Sequence, residues 1–452
     1  MKKPKKLIGM KISDFNDLVK SKNEIHLQKS RLIPFYKPGD EMALTSIFMS
    51  AINFVDEFKK DIFKSIGFST YGSLYAYTEI EFTLFDRKRI DGLFLLVRGK
   101  KIVDAMAIES KNKNNNLDAN QIKDYFNILK AYKIPKILTL SNEFVNFPTQ
   151  TPMNIKSPKN ISMNHLSWSY VLTIAHILCM KNDKKIKDKN QKLLMNEVIN
   201  YLEHSNSGVL GFTQMKPGWT EVCQKISSGA SLKLNDPATE EAISSWIQKE
   251  RDSGLTLSRE LGLLVKTGKT KYKVNLSERI KNEKQELIKN KNLKSYLNVE
   301  GATSPICIKA NFRSKTVEMS VNIEAPKNRS TRSKITWIRN QLKKCANKNI
   351  ELFTRIEKEL MLDINVKFSN KPIRLQISDL EYAHNSSLLT KKEIKSFSLV
   401  YVNYLGRKFD SRKQFVIQVE NMLLRYYESI VQYLKNWEKP APKIKSTKEL
   451  SK

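Results

Sequence analysis

RIDGLFLLVRGKKIVDAMAIESK, residues Arg89–Lys111, is the stretch on which the fold turns. Two apolar runs, Arg89–Val97 and Ile102–Lys111, flank Arg98-Gly99-Lys100-Lys101. Short apolar runs bounded by a glycine-bearing polar turn read as two buried strands of a hairpin. At the end far from the turn stand Asp91 on the first strand and Glu109 and Lys111 on the second. Side chains two apart on a strand share a face, so Glu109 and Lys111 project together and Ser110 points away. Pairing through Gly99 brings Asp91 opposite Glu109. Two carboxylates and an ammonium then meet at the end of an otherwise apolar strand, where each needs a partner.

The neighbouring segments extend this hairpin into a domain. Leu44, Ile47, Phe48, Ala51, Val55, Phe58 and Ile62 recur at helical spacing, which predicts a helix from Gly39-Asp40 to about Ile66, stopped by Gly67. A strand from Leu74 precedes the hairpin. A helix from Asp118 to about Tyr132 and a strand over Lys136–Ser141 follow it, and His165 opens a further strand leading into a helix. The order α-β-β-β-α-β describes an α/β fold, a mixed sheet flanked by helices.

Domain expectations are 1–180 for this sheet, 181–295 for a mainly helical region, 296–438 for a C-terminal α/β domain and 439–452 for a disordered basic tail. The basic run Lys181–Lys192 marks the first boundary. In the C-terminal domain PICIKANF and TVEMSVNI form a hairpin, and a last helix runs from Ser411 to about Trp437. Trp219, Trp246 and Trp437 lie at helical spacing with other apolar residues and are expected in cores.

Composition limits the function classes. The chain has 452 residues, 79 Lys+Arg against 46 Asp+Glu, and a formal charge of +33. With 40% apolar residues it forms packed cores, and its charge suits a polyanionic partner. Only 16 of the cations are Arg, so lysine-rich composition contributes to that number. Cys179, Cys223, Cys307 and Cys345 show no metal-ligand spacing and read as reduced thiols. The start lacks an apolar signal core, and His165–Met180 is too short and polar to span a bilayer. A cytoplasmic protein without membrane contact is the expectation.

The chemistry follows from Asp91, Glu109 and Lys111. Paired carboxylates hold a divalent cation through oxygen, the cation activates water, and a lysine offsets charge on phosphorus. This set resembles the PD-(D/E)XK nuclease superfamily, with Ile90 in place of its eponymous proline. Gln121-Ile122-Lys123-Asp124-Tyr125 is similar to the Gln-x-x-x-Tyr motif of members with a RecB-type site, and Glu41 stands where they carry an acidic residue on the first helix. The resemblance implies a restriction-endonuclease-like fold over about Leu32–Trp168. It implies Asp91 and Glu109 as ligands of Mg²⁺ or Mn²⁺, Glu41 as a further ligand directly or through water, Lys111 as the catalytic lysine, and Gln121 and Tyr125 as substrate-facing or site-organising residues. The implied function is a nuclease acting on DNA, in phage defence, restriction or repair. The alternative is a non-catalytic nucleic-acid-binding or assembly module on the same fold.

Other signals are set aside or left as surface expectations. Gly262–Thr270 has five residues between its glycines where a phosphate-binding loop needs four. The five histidines form no metal or His-Asn-His grouping. The basic stretches Lys266–Lys273 and Lys327–Lys334 suit a phosphate backbone, with Tyr272 or Trp337 nearby for stacking, or else form solvated faces. The C-terminal half is also the expected place for a protein partner or a second copy of the chain.

Overall fold

The computed structural model describes residues 4–21, 24–29, 39–153, 155–179, 185–268, 276–381, 389 and 392–438. The expected tail 439–452, Tyr272 and the start of the basic run at 181–184 lie outside the described residues. The chain divides into two compact units. One is Met1–Leu297 with Asp410–Ile417, and the other is Asn298–Phe409 with Gln418–Lys452. The helical region expected as a separate domain over 181–295 therefore belongs with the first unit.

The first unit begins with α1 (Ile12–Lys20), β1 (Ile25–Lys29), α2 (Glu41–Phe54) and α3 (Asp56–Ile66). It continues through β2 (Ser73–Phe82), β3 (Lys88–Arg98), β4 (Lys101–Ser110), α4 (Ala119–Tyr132), β5 (Lys136–Ser141), β6 (Ser162–Ser167) and α5 (Trp168–Cys179). The six strands form one sheet in the order β1-β2-β3-β4-β5-β6. Pairings from β1 to β4 are antiparallel, whereas β4–β5 and β5–β6 are parallel. The strand and helix elements read around the hairpin are all present, but the long first helix is two. Val55 takes an extended conformation (φ −118°, ψ 105°) between α2 and α3. Its β-branched side chain disfavours helix, and it is fully buried among residues of both helices, so the apolar pattern runs across the break unaltered. The short α1 and β1 have no counterpart in the sequence reading.

Both faces of the sheet are covered, which explains why β3 and β4 read as continuous apolar runs. Phe48, Phe63, Phe94, Met106, Trp168 and Ile174 pack on one side, with α2, α3 and α5. Phe15, Leu95, Ala105, Ile122, Tyr125 and Tyr132 pack on the other, with α1 and α4.

The chain then forms α6 (Lys189–Glu203), α7 (Pro217–Ser227), α8 (Pro237–Leu261), β7 (Lys266–Thr267), α9 (Leu276–Asn290) and β8 (Asn292–Asn298). The long α8 is buried on every side from Ser245 to Ser258, although it carries Lys249-Glu250-Arg251-Asp252. Lys249, Glu250 and Asp252 persist because they are paired, while the Arg251 guanidinium lies over the Tyr170 ring at 5.0 Å. Glu250 accepts from Arg279 at 2.7 Å, from Asn146 at 2.8 Å and from the Tyr296 N–H at 2.7 Å, and Lys249 meets Asp252 at 2.8 Å. Trp219 stacks on Trp246 at 6.1 Å and tilts against Phe415 at 4.4 Å, all three in the core.

In the second unit β9 (Ile306–Asn311) and β10 (Thr316–Glu324) make the expected hairpin. They are followed by α10 (Thr331–Lys348), α11 (Ile350–Glu357), β11 (Leu360–Val366), β12 (Ile373–Gln376), β13 (Ile394–Tyr404), α12 (Arg407–Asp410) and α13 (Arg412–Ser429), of which Asp410 and the part of α13 up to Ile417 belong to the first unit. Its strands lie in the order β12-β11-β13-β10-β9, all antiparallel. Trp437, expected in a core on the last helix, lies beyond the end of α13 and is only half-buried. Among the described residues no helix is long and apolar enough to cross a membrane.

Candidate active site

The site forms where β3 and β4 part. Their last backbone pair is Gly92 with Ile108. One residue further on, a side chain takes over from the ladder. Asp91 Oδ2 accepts from the Ser110 backbone N–H at 2.7 Å and from its Oγ at 3.2 Å. Ser110, expected to point away from the carboxylates, is thus bonded to one of them. On its other edge β4 stays paired with β5 through Ser110, and the Lys111 N–H donates to the Leu140 carbonyl at 2.8 Å. Strand β4 is held on one side and open on the other.

Glycine at position 92 lets α2 approach this opening. A Cβ there would lie 2.5 Å from Met49 Sδ and 3.2 Å from Ile108 Cβ. The close approach places Thr45 Oγ1 2.6 Å from Ser110 Oγ, and it puts Glu41, in the first turn of α2, beside the end of β4. Glu41 Oε1 accepts from the Asn112 N–H at 3.2 Å and Asn115 Nδ2 at 2.8 Å, while Asn112 Nδ2 donates to the Gly39 carbonyl at 2.6 Å. The helix start and the loop after β4 are therefore latched together. Lys111 Nζ donates to Glu109 Oε1 at 2.7 Å and stands 3.7 Å from Glu41 Oε2. Trp168 Nε1 fixes the lysine backbone by donating to its carbonyl at 2.8 Å.

Burial sets the electrostatics. Glu109 is fully buried, its Oε2 makes no well-aligned hydrogen bond, and desolvation with the nearby Asp91 charge pushes its carboxyl up to about 8 against the pull of Lys111 and the neighbouring Tyr125 hydroxyl. Desolvation also raises Asp91, opposed by the Ser110 N–H and Lys111. Burial would lower Lys111, but Glu109, Asp91 and Glu41 together outweigh it and hold the ammonium protonated.

Gln121 and Tyr125 fall one helical turn apart on α4. Gln121 Nε2 donates to Tyr125 Oη at 2.7 Å, and that hydroxyl donates to the Arg89 carbonyl at 2.9 Å. Burial and the negative charges of Glu109 and Asp91 raise the phenol, so it remains a donor. These two residues organise the strand that carries Asp91.

Glu79 was not anticipated. Toward β3 it lies opposite Asp91 in unbroken register, but toward β1 it is part of a bulge, since Glu79 and Ile80 together face Leu27 between the His26–Glu81 and Gln28–Thr78 pairs, and its φ is 54°. The bulge buries its carboxylate (7% exposed), and Oε2 lies 3.0 Å from Nε of the exposed Arg89 without the alignment of a hydrogen bond. Desolvation raises this carboxyl, Arg89 opposes the shift, and Asp91 and Asp40 reinforce it. The strand's alternation, TEIEF, conceals the extra residue, because a bulge leaves no local mark when its residue is not glycine.

Among the described residues no group of three or more His, Cys, Asp or Glu side chains is gathered tightly enough to cage a metal ion. What converges is the buried Glu109 and the half-buried Asp91, with Lys111 between Glu109 and Glu41. No family model, no curated protein and no solved structure matches this chain.

Proposed function

We propose that the chain is a metal-dependent nuclease of the PD-(D/E)XK kind that hydrolyses phosphodiester bonds of DNA. The observation that carries this reading is the meeting of Asp91, Glu109 and Lys111 at the parting of β3 and β4, with Glu109 Oε2 left buried and without a well-aligned hydrogen bond. A buried carboxylate oxygen without a well-aligned donor is costly unless it serves a ligand or a proton. The element order from α2 to β5 also agrees with the restriction-endonuclease-like core that the resemblance implies.

The donor set fits Mg²⁺ or Mn²⁺ with Asp91 and Glu109 as protein ligands. Mg²⁺ commonly takes only one or two carboxylates and keeps several waters, so a three-carboxylate cage is not required. Glu41, tied by Oε1 to Asn112 and Asn115, has Oε2 directed toward Lys111 and acts at one remove. The ion supplies Lewis acidity, acidifying water and neutralising charge on the phosphoryl group. Lys111, kept protonated by its carboxylate neighbours, presents a cation to the charge that develops on phosphorus. Tyr125 and Gln121 hold the Arg89–Asp91 backbone in place, and Trp168 does the same for Lys111.

Nicking of supercoiled plasmid by the purified chain in Mg²⁺ or Mn²⁺ tests this. Lys111→Ala and Glu109→Ala are each expected to lower the rate at least about 10²-fold. Identical rates for wild type and both variants would remove the catalytic assignment. Salt-sensitive DNA binding without cleavage, indifferent to Glu109→Ala, would leave the binding-module alternative instead.

A further inference from the structure

Helix α10 has a charge pattern that the nuclease site does not use. Across Thr331–Lys348 it carries Arg332, Lys334, Arg339, Lys343, Lys344 and Lys348 and no carboxylate. Lys334 is buried and donates to the Ile394 carbonyl at 2.8 Å. Among the described residues, the other five cations have no ion-pair partner. An uncompensated row of this kind on one helix is a local positive field rather than a share of the general lysine excess.

On one face of the same helix Ser330, Arg332, Ser333, Thr336, Trp337 and Asn340 surround a shallow, open depression. Trp337 is half-buried, its indole tilted over Phe397 at 6.3 Å, so one edge is anchored and the rest is accessible. Hydroxyl, amide, guanidinium and indole groups thus share one helix face. The apolar face of α10 (Ile335, Ile338, Leu342 and Cys345) is already buried in the second unit. A helix that lies on a membrane needs an exposed apolar face, and this one has none left.

We propose that α10 is a binding site for single-stranded nucleic acid, in which Trp337 stacks on a base and Arg332, Lys343 and Lys344 hold the phosphate backbone. Flexible single strands splay bases onto aromatic side chains, whereas paired bases in a duplex are not available to an indole. This site is separate from Asp91 and Glu109, and its test does not depend on cleavage.

Fluorescence anisotropy with a labelled single-stranded oligonucleotide, across a salt series and without divalent cation, provides the measurement. Replacing Arg332, Lys343 and Lys344 together by Gln is expected to flatten the plot of log Kd against log salt by about 2, at about 0.7 per lost phosphate contact. Replacing Lys20, Lys60 and Lys64, exposed lysines of the first unit, by Gln leaves the slope unchanged. Trp337→Ala raises Kd by about 5- to 100-fold with the slope unchanged, and Trp337→Phe restores much of the affinity. Circular dichroism confirms that each variant is folded. Equal slopes for the two triple variants, or equal affinity for Trp337→Ala and wild type, overturn the proposal. So does binding of phosphatidylserine vesicles through these residues without binding of the oligonucleotide. Glu109→Gln, which disables the proposed nuclease, is expected to leave this binding intact, so the two readings fail separately.

Discussion

Replacing Glu109 by Gln is expected to make the protein more stable, and increasingly so as pH rises. Glu109 has no solvent exposure, and its carboxyl is raised from 4.5 to about 8 by desolvation and by Asp91. Below about pH 4.5 the side chain is protonated in both the folded and unfolded states and contributes no pH-dependent difference. Between about 4.5 and 8 the unfolded chain loses this proton and the folded chain keeps it. The folded state binds more protons over that window, so stability falls as pH rises. At about 1.36 kcal/mol per unit the full shift corresponds to roughly 5 kcal/mol, and structural relaxation around the ionised carboxylate brings the expected gain to about 2–4 kcal/mol. Gln has the same shape without the ionisation, and Lys111 retains Asp91 and Glu41 as counter-charges. Urea unfolding of wild type and Glu109→Gln at pH 5, 6, 7 and 8 would measure the difference. The gain should be small at pH 5 and reach its full value at pH 8, while plasmid nicking is lost. A variant less stable than wild type at pH 8, or a gain independent of pH, would refute the assignment of Glu109 as a strained, desolvated carboxylate.

Three further outcomes follow from local geometry. Gly92→Ala drives a Cβ to 2.5 Å from Met49 Sδ and should cost about 1–3 kcal/mol in urea unfolding, with activity lost as α2 moves off the site. Tyr125→Phe removes the donor to the Arg89 carbonyl and should cost about 1 kcal/mol in the same assay while slowing nicking, whereas unchanged nicking would leave Tyr125 a purely structural residue. Glu250→Ala strips Arg279 of its 2.7 Å partner in a buried setting and should destabilise by about 3–5 kcal/mol, read as a fall of the thermal midpoint.

The hairpin was legible because its two apolar runs and its turn are local, and the alternation rule placed Glu109 and Lys111 on one face before any contact was known. Other features depend on tertiary contact. Val55 interrupts a helix whose apolar faces stay in phase, so periodicity cannot reveal the break. Glu79 is diverted by a bulge that arises in the pairing of β2 with β1 rather than from any local residue preference. The tie from Glu41 to Asn112 and Asn115 joins positions about 70 apart in the chain, and only the packing of α2 against the sheet brings them together. Trp437 was misplaced because α13 ends at Ser429, before the apolar spacing does.

The mixed pairing of β4 also bears on the order of assembly. Its partnership with β3 closes through a four-residue turn, a local event, whereas β5 reaches it only after α4 has crossed the sheet. Glu109, paired with Thr139, and Lys111, just past the end of β4 and bonded to the Leu140 carbonyl, lie beyond the last β3 pair, where the backbone ladder continues only with β5. In a chain that has formed only the hairpin, these side chains are ordinary wet ions. They become a desolvated pair when the parallel half docks, so the chemistry depends on the completed sheet and not on the hairpin alone.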